Sequence, residues 1–254
     1  MALFQTGFRS SALQKQTSFN AIFPEEGFCG DTPYPVVYLL HGLSDDHSIW
    51  LRRSNIERYA SEYGFAVIMP DGGRSFYTDM KHGDAYFTAI AEELPRFVER
   101  MFPVSRKRED TFIAGLSMGG YGALKIALRY PERFAAAGIM SAVTDIVDKF
   151  SNEVFALHMW QDIFGSPEET IRDGNDLFTL AEKVSRLAEP PAVIQFCGTE
   201  DFLLKDNRKL NSALESLNWR NYLYSETPGT HCWPYWDKHI QDILKFFKGE
   251  NKNG

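Results

Sequence analysis

The chain has 254 residues, 44% of them apolar and 14% aromatic, enough for a sizeable core, so a disordered polypeptide is excluded. At about 100–200 residues per domain this length predicts one large domain, residues 1–254. Lys and Arg number 27 and Asp and Glu 34, a formal net charge of -7 that offers no overall attraction to nucleic acid or anionic lipid.

The first twenty residues lack the basic-then-apolar order of a signal peptide, and the first forty show no helical pattern; they predict antiparallel edge strands. Val36–Leu40 is the first short apolar run, bounded by Pro35 and His41-Gly42. Ser54-Asn55-Ile56-Glu57 has the pattern of a capping box, with Ile56, Tyr59 and Ala60 as the apolar face of the helix behind it. Phe65–Met69 is a second strand, closed by Pro70-Asp71-Gly72-Gly73. Ile90, Leu94, Phe97, Val98 and Met101 keep helical spacing, and Pro95 should kink that helix or mark its start. Arg106-Lys107-Arg108, the longest basic run, reads as a solvated loop. Strand Thr111–Ala114 precedes a helix over Gly120–Tyr130 that Pro131 stops, and Phe134–Met140 is the next strand.

Residues 141–190 are irregular, with Phe150, Phe155, Trp160, Phe164 and Phe178 among polar residues; they predict a cap-like insertion over the strand ends within the same domain. Ala192–Phe196 and Tyr222–Ser225 are the last strands. Leu210, Leu214 and Leu217 mark one further helix, and Trp236, Ile240, Ile243, Leu244 and Phe247 the last. Strands alternating with helices imply an α/β fold with a mostly parallel sheet covered on both faces. No apolar run nears the roughly 20 residues of a membrane span. Cys29, Cys197 and Cys232 are too few for a disulfide framework and lack zinc-type spacing. A cytoplasmic protein is expected, without membrane or nucleic-acid partners; a homo-oligomer stays open.

Gly115-Leu116-Ser117-Met118-Gly119 matches the nucleophile-elbow pattern G-x-S-x-G. The match gains weight from context, because it follows a strand and opens a helix. That setting lifts the Ser117 hydroxyl above the sheet. A serine needs a base, and the base needs an acid to hold its tautomer. With a nucleophile elbow the chain order is serine, acid, histidine. His231 sits in the turn-rich loop Thr227–Trp233, whereas His239 should face solvent on the last helix and His158 should have a surface or lid role in the insertion. Asp201 follows the strand Ala192–Phe196; Glu200 is its near competitor, and Asp145 and Asp148 are remote ones. The oxyanion donors are expected at the backbone N–H of Met118 and, from the loop His41-Gly42-Leu43, at that of Leu43. Asp45, Asp46 and His47 read as a loop rim rather than metal ligands, and Cys232 as a bystander to His231.

Tyr38–Ser44, Phe112–Leu124 and Gly229-Thr230-His231 resemble the esterase D branch of the α/β-hydrolases. That branch holds S-formylglutathione hydrolases, tributyrin and acetyl esterases, feruloyl esterases and mycolyltransferases, and the likeness is nearest to small bacterial tributyrin esterases. The resemblance implies an α/β-hydrolase fold and a Ser117–Asp201–His231 triad with Leu43 and Met118 as the oxyanion hole, and neither cofactor nor metal. It implies hydrolysis of small-molecule, short-chain acyl esters, with S-formylglutathione, feruloyl or acetyl-xylan esters, or acyl transfer, as alternatives. Asp71–Asp79 resembles a loop that borders the substrate site. Phe76 and Tyr77 there, Trp160 in the insertion and Trp233 beside His231 are expected to contact substrate. S-formylglutathione hydrolases usually carry a cysteine and a threonine shortly after His-Gly-Leu, where this chain has Ser44-Asp45-Asp46-His47.

Overall fold

The computed structural model describes residues 1–25, 33–151 and 157–250; Cys29 and Phe155 lie outside the described residues. The strands are β1 (Ala2–Ser10), β2 (Lys15–Phe23), β3 (Val36–Leu40), β4 (Ala66–Pro70), β5 (Thr111–Leu116), β6 (Ala136–Met140), β7 (Ala192–Gly198) and β8 (Tyr222–Thr227). They form an eight-stranded sheet in the order β1-β2-β4-β3-β5-β6-β7-β8. β3 to β8 run parallel, while β1 and β2 form an antiparallel hairpin whose inner strand pairs antiparallel with β4. Every residue of β3, β4, β5 and β6 is buried, which is what a sheet covered on both faces requires. β1, at the edge, leaves five of its nine residues exposed. The expected edge hairpin and parallel core are both present.

Between β3 and β4 lie α1 (Ile49–Arg53) and α2 (Ile56–Tyr63). The capping box at Ser54 does not form. Ser54 ends α1, its hydroxyl donating to the Trp50 carbonyl at 2.6 Å, and Asn55 takes the cap position without a side-chain cap bond. The start of α2 is held instead from a distance, by the Asn55 N–H donating to Asp237 Oδ1 at 2.8 Å. After β4 come α3 (Tyr86–Thr88), a π-helical turn over Ala89–Glu93, and α4 (Leu94–Met101). Pro95 sits in the first turn of α4, directly behind the π-helical turn, where the local change of hydrogen-bond pattern accommodates a residue without an N–H.

α5 (Met118–Arg129) follows β5. The segment 141–190 is more regular than its composition suggests. It carries α6 (Ile146–Lys149), α7 (Leu157–Phe164), α8 (Pro167–Arg172) and α9 (Leu177–Val184). Ser166 caps α8 by accepting from the Glu169 N–H, and Asp176 caps α9 by accepting from that of Thr179. α10 (Leu204–Ser216) and α11 (Trp233–Phe247) complete the helices that follow β7 and β8.

One apolar layer joins Phe76, Tyr77, Tyr121, Leu124, Trp160, Phe164 and Leu177 on one face of the sheet. The other joins Trp50, Ile56 and Tyr59 to Trp236, Ile240, Ile243 and Phe247 of α11. Apolar layers therefore cover both faces of the sheet.

Candidate active site

Ser117 stands between β5 and α5 with φ 52° and ψ -118°, a conformation costly for a residue with a side chain. The turn is tight: a Cβ on Gly115 would lie 2.3 Å from the Gly119 carbonyl oxygen, so no larger residue fits. The Ser117 N–H donates to the Met140 carbonyl at 2.9 Å and holds the turn to the end of β6.

The structure brings Ser117, His231 and Asp201 together from three different strand ends. The Ser117 hydroxyl lies 3.0 Å from His231 Nε2, and His231 Nδ1 lies 3.0 and 3.1 Å from the two oxygens of Asp201. Nδ1 carries the proton that donates to the carboxylate, leaving Nε2 to accept from the serine. Burial alone would raise the Asp201 carboxyl. The hydrogen bond and charge of His231, the Leu203 N–H at 2.8 Å and the Ser141 hydroxyl outweigh it and hold the group below the ordinary carboxylate value. Glu200 points elsewhere: its carboxylate accepts from the Gly229 N–H at 2.6 Å and its own N–H donates to the Gly229 carbonyl, which ties the acid loop to the His231 loop. Asp145 caps α6 and pairs with Lys209, also away from His231.

Two supporting residues escaped the sequence reading. Ser141, fully buried and at φ 47°, accepts from Trp236 Nε1 at 3.1 Å while bonding Asp201. The Trp236 ring meets the imidazole edge to face at 4.9 Å. Ser141 begins a segment with no motif, and the signal was only its place just past a parallel strand. Phe202, directly after Asp201, lies 4.6 Å from the His231 ring.

Met118 is the first residue of α5, where an α-helix leaves the N–H without an intrahelical acceptor. The second candidate donor, Leu43, is half-buried. Its loop rests on the elbow: a Cβ built on Gly42 would lie 3.9 Å from Ser117 Cβ and 3.2 Å from Asp45 Oδ2. His41 secures that loop, with Nδ1–H donating to the Gly42 carbonyl at 2.7 Å and Nε2 accepting from the Gly72 N–H at 2.9 Å. Tyr77 Oη donates to the His41 carbonyl at 3.0 Å. The Asp45 carboxyl beside Gly42 is raised, chiefly by burial.

The expected substrate rings are placed differently from the sequence reading. Phe76, Tyr77 and Trp160 have no accessible surface. Phe76 packs 5.0 Å from Trp160 and 5.9 Å from Tyr121, because the chain takes φ 50° at both Phe76 and Tyr77 and turns these rings inward. Of the three, Tyr77 braces the site through the His41 carbonyl. Trp233 is half-buried, edge-on to Trp50 and Trp236. His239 also departs from expectation. It is buried, stacked 4.5 Å from Phe196, with Nδ1 against Asp242 and Nε2 against Thr227. His158 is exposed, as expected.

The Esterase family model matches residues 10–247. The chain belongs to the esterase family. An acetyl esterase of Caldicellulosiruptor saccharolyticus is 32% identical over 97% of this esterase and 98% of its own length. Among solved structures, the fluorophosphonate-binding serine hydrolase FphF of Staphylococcus aureus is similar at a TM-score of 0.89 and 34% identity, over 97% of this chain and 98% of that one. The S-formylglutathione hydrolase FrmB of the same organism is similar at 0.86 and 34%, with the same coverage. This esterase is thus a serine hydrolase with the α/β-hydrolase fold.

Proposed function

We propose that this esterase hydrolyses short-chain carboxylic esters through an acyl-enzyme on Ser117. His231 takes the serine proton as the hydroxyl attacks the carbonyl, then delivers it to the departing alkoxide. Asp201 holds the imidazole tautomer and supports the imidazolium. The N–H groups of Leu43 and Met118 receive the oxyanion. Water then attacks the acyl-serine with His231 again as base, and no cofactor takes part. The observation that carries this reading is the hydrogen-bonded line from Ser117 through His231 to the buried Asp201. The reading takes the chain as one cytoplasmic catalytic domain, with 141–190 as a cap-like insertion within it.

Short acyl chains are favoured because Phe76, Trp160 and Phe164 fill one another's space, next to the Tyr77 that bonds the His41 carbonyl of the oxyanion loop. A tunnel for long chains would reward each methylene with about 0.8 kcal/mol, roughly fourfold in kcat/KM. The test combines two measurements. A fluorophosphonate should label Ser117 stoichiometrically and abolish hydrolysis, and p-nitrophenyl esters from C2 to C16 should peak at C2–C4. Labelling of another serine, or normal activity in Ser117→Ala, overturns the mechanism; a peak at C10 or beyond overturns the chain-length reading.

The likeness to FrmB supports a second reading, hydrolysis of S-formylglutathione. Asp45 and Asp46, standing where those enzymes usually carry cysteine and threonine, weigh against it. Comparing kcat/KM for S-formylglutathione and acetyl esters decides between them.

A further inference from the structure

Phe202 combines exposure with a fixed place. Its side chain is 59% exposed, yet its ring lies 4.6 Å from the His231 imidazole with the planes tilted by 50°. Both chain neighbours are buried. The Leu203 N–H donates to Asp201 Oδ1 at 2.8 Å and the Leu204 N–H to the Asp201 carbonyl at 3.0 Å, so a bonded turn presents this ring to solvent. Its contact with His231 places this apolar ring where a substrate bound at Ser117 can cover it.

Which part of the substrate covers it follows from the chemistry. In acylation the alcohol oxygen leaves as it takes the proton held at His231 Nε2, so it must come within hydrogen-bond reach of that atom. The acyl carbon meanwhile is bonded to Ser117 Oγ. The alcohol half of the ester therefore extends along the imidazole, where Trp236 is buried and Phe202 is exposed.

We propose that Phe202 forms the wall of an alcohol-side subsite, and that this site prefers esters whose alcohol carries an aromatic or bulky apolar group over those of small alcohols. The inference rests on the esterase reading above. Benzyl acetate and ethyl acetate share the acyl group and release alkoxides of similar basicity, so the ratio of their kcat/KM values isolates the alcohol side. In Phe202→Ala that benzyl-to-ethyl ratio falls about three- to tenfold, the range that one aromatic contact carries. Phe202→Tyr keeps the wild-type ratio, and the benzyl acetate-to-benzyl butyrate ratio stays put in both variants.

An unchanged benzyl-to-ethyl ratio overturns the proposal. So does an equal loss on both alcohols, which would make the ring a shield for His231 alone. A shift confined to the acetate-to-butyrate ratio overturns it too, by moving the ring to the acyl side. If the wild type cleaves neither ester and Ser117 takes no label, the esterase reading itself fails, a result distinct from an unchanged ratio in an active enzyme.

Discussion

Asp201 shows how one carboxylate out of several acquires its place. Its neighbour Glu200 is also a carboxylate of the same loop, but is exposed and spends its oxygens on Gly229 and Thr199. Asp201 is buried and bonded on both oxygens. Asp201→Asn should therefore lower kcat by up to about 10⁴, through the wrong imidazole tautomer, and Glu200→Gln by far less. Kinetics on both variants check the ranking; the reverse order would move the acid. Because the folded-state carboxyl lies below its ordinary value of about 3.9, Asp201 favours the folded state at all pH values above that, and the contribution fades only as pH falls further. Ser141 acts one step back, as a positioning residue. Ser141→Ala removes a hydrogen bond to a buried carboxylate and should reduce kcat about tenfold or more with little change in KM. A matched change in KM instead would place Ser141 at the substrate. Of these groups, Asp201 and His231 were legible because each follows a strand in the expected order. Ser141 and Trp236 were not, since their importance lies in a contact between residues 95 positions apart.

At the scale of elements, α5 does more than follow Ser117. Lys125, fully buried on that helix, donates to Thr78 Oγ1 at 2.6 Å, Asn175 Oδ1 at 3.2 Å and the Phe76 carbonyl at 3.3 Å. It thus ties the loop after β4 and the turn between α8 and α9 to one helix, and helps hold the left-handed pair Phe76-Tyr77. A charged residue on a helix normally reads as a solvent face, so nothing in the sequence pointed to this. Burial pushes the Lys125 ammonium well below its ordinary pKa. The folded state then binds fewer protons than the unfolded one, and stability gained from this group rises with pH up to the unfolded value of about 10.4. Urea melts of wild type and Lys125→Met should diverge in favour of wild type as pH rises toward that unfolded value, by at most about 1.4 kcal/mol per pH unit. A gap independent of pH would show that the lysine is charged throughout. The parallel strands were legible as short apolar runs, and so was the elbow. The capping box at Ser54 and the solvent-facing His239 failed because α11 packs against α2 through Asp237 and against β7 through His239, and tertiary contact overrode the local pattern.

Across the whole molecule, the net charge of -7 has a local counterpart. Asp45 and Asp46 follow the Leu43 loop, and Asp71 and Glu200 stand in the neighbouring strand-end loops. An anionic substrate meets repulsion that salt should relieve. For monoethyl succinate, kcat/KM should climb several-fold from about 10 mM to about 0.5 M salt, as the screening length shrinks from about 30 Å to a few ångströms. Ethyl butyrate, neutral and of similar size, should stay level. A fall with salt for the anion would mean that a cationic group governs the mouth of the site.

The order in which the chain supplies Ser117, Asp201 and His231 also has a consequence in time. Synthesis produces the strained serine first and its hydrogen-bonded imidazole more than a hundred residues later, on the loop that leads into α11. A growing polypeptide accordingly carries an inert hydroxyl until β8 has docked on β7 and the imidazole swings over the elbow. Esterase activity recovered during refolding then dates the closing of that last seam, and a fluorophosphonate pulse becomes a clock for completion of the fold.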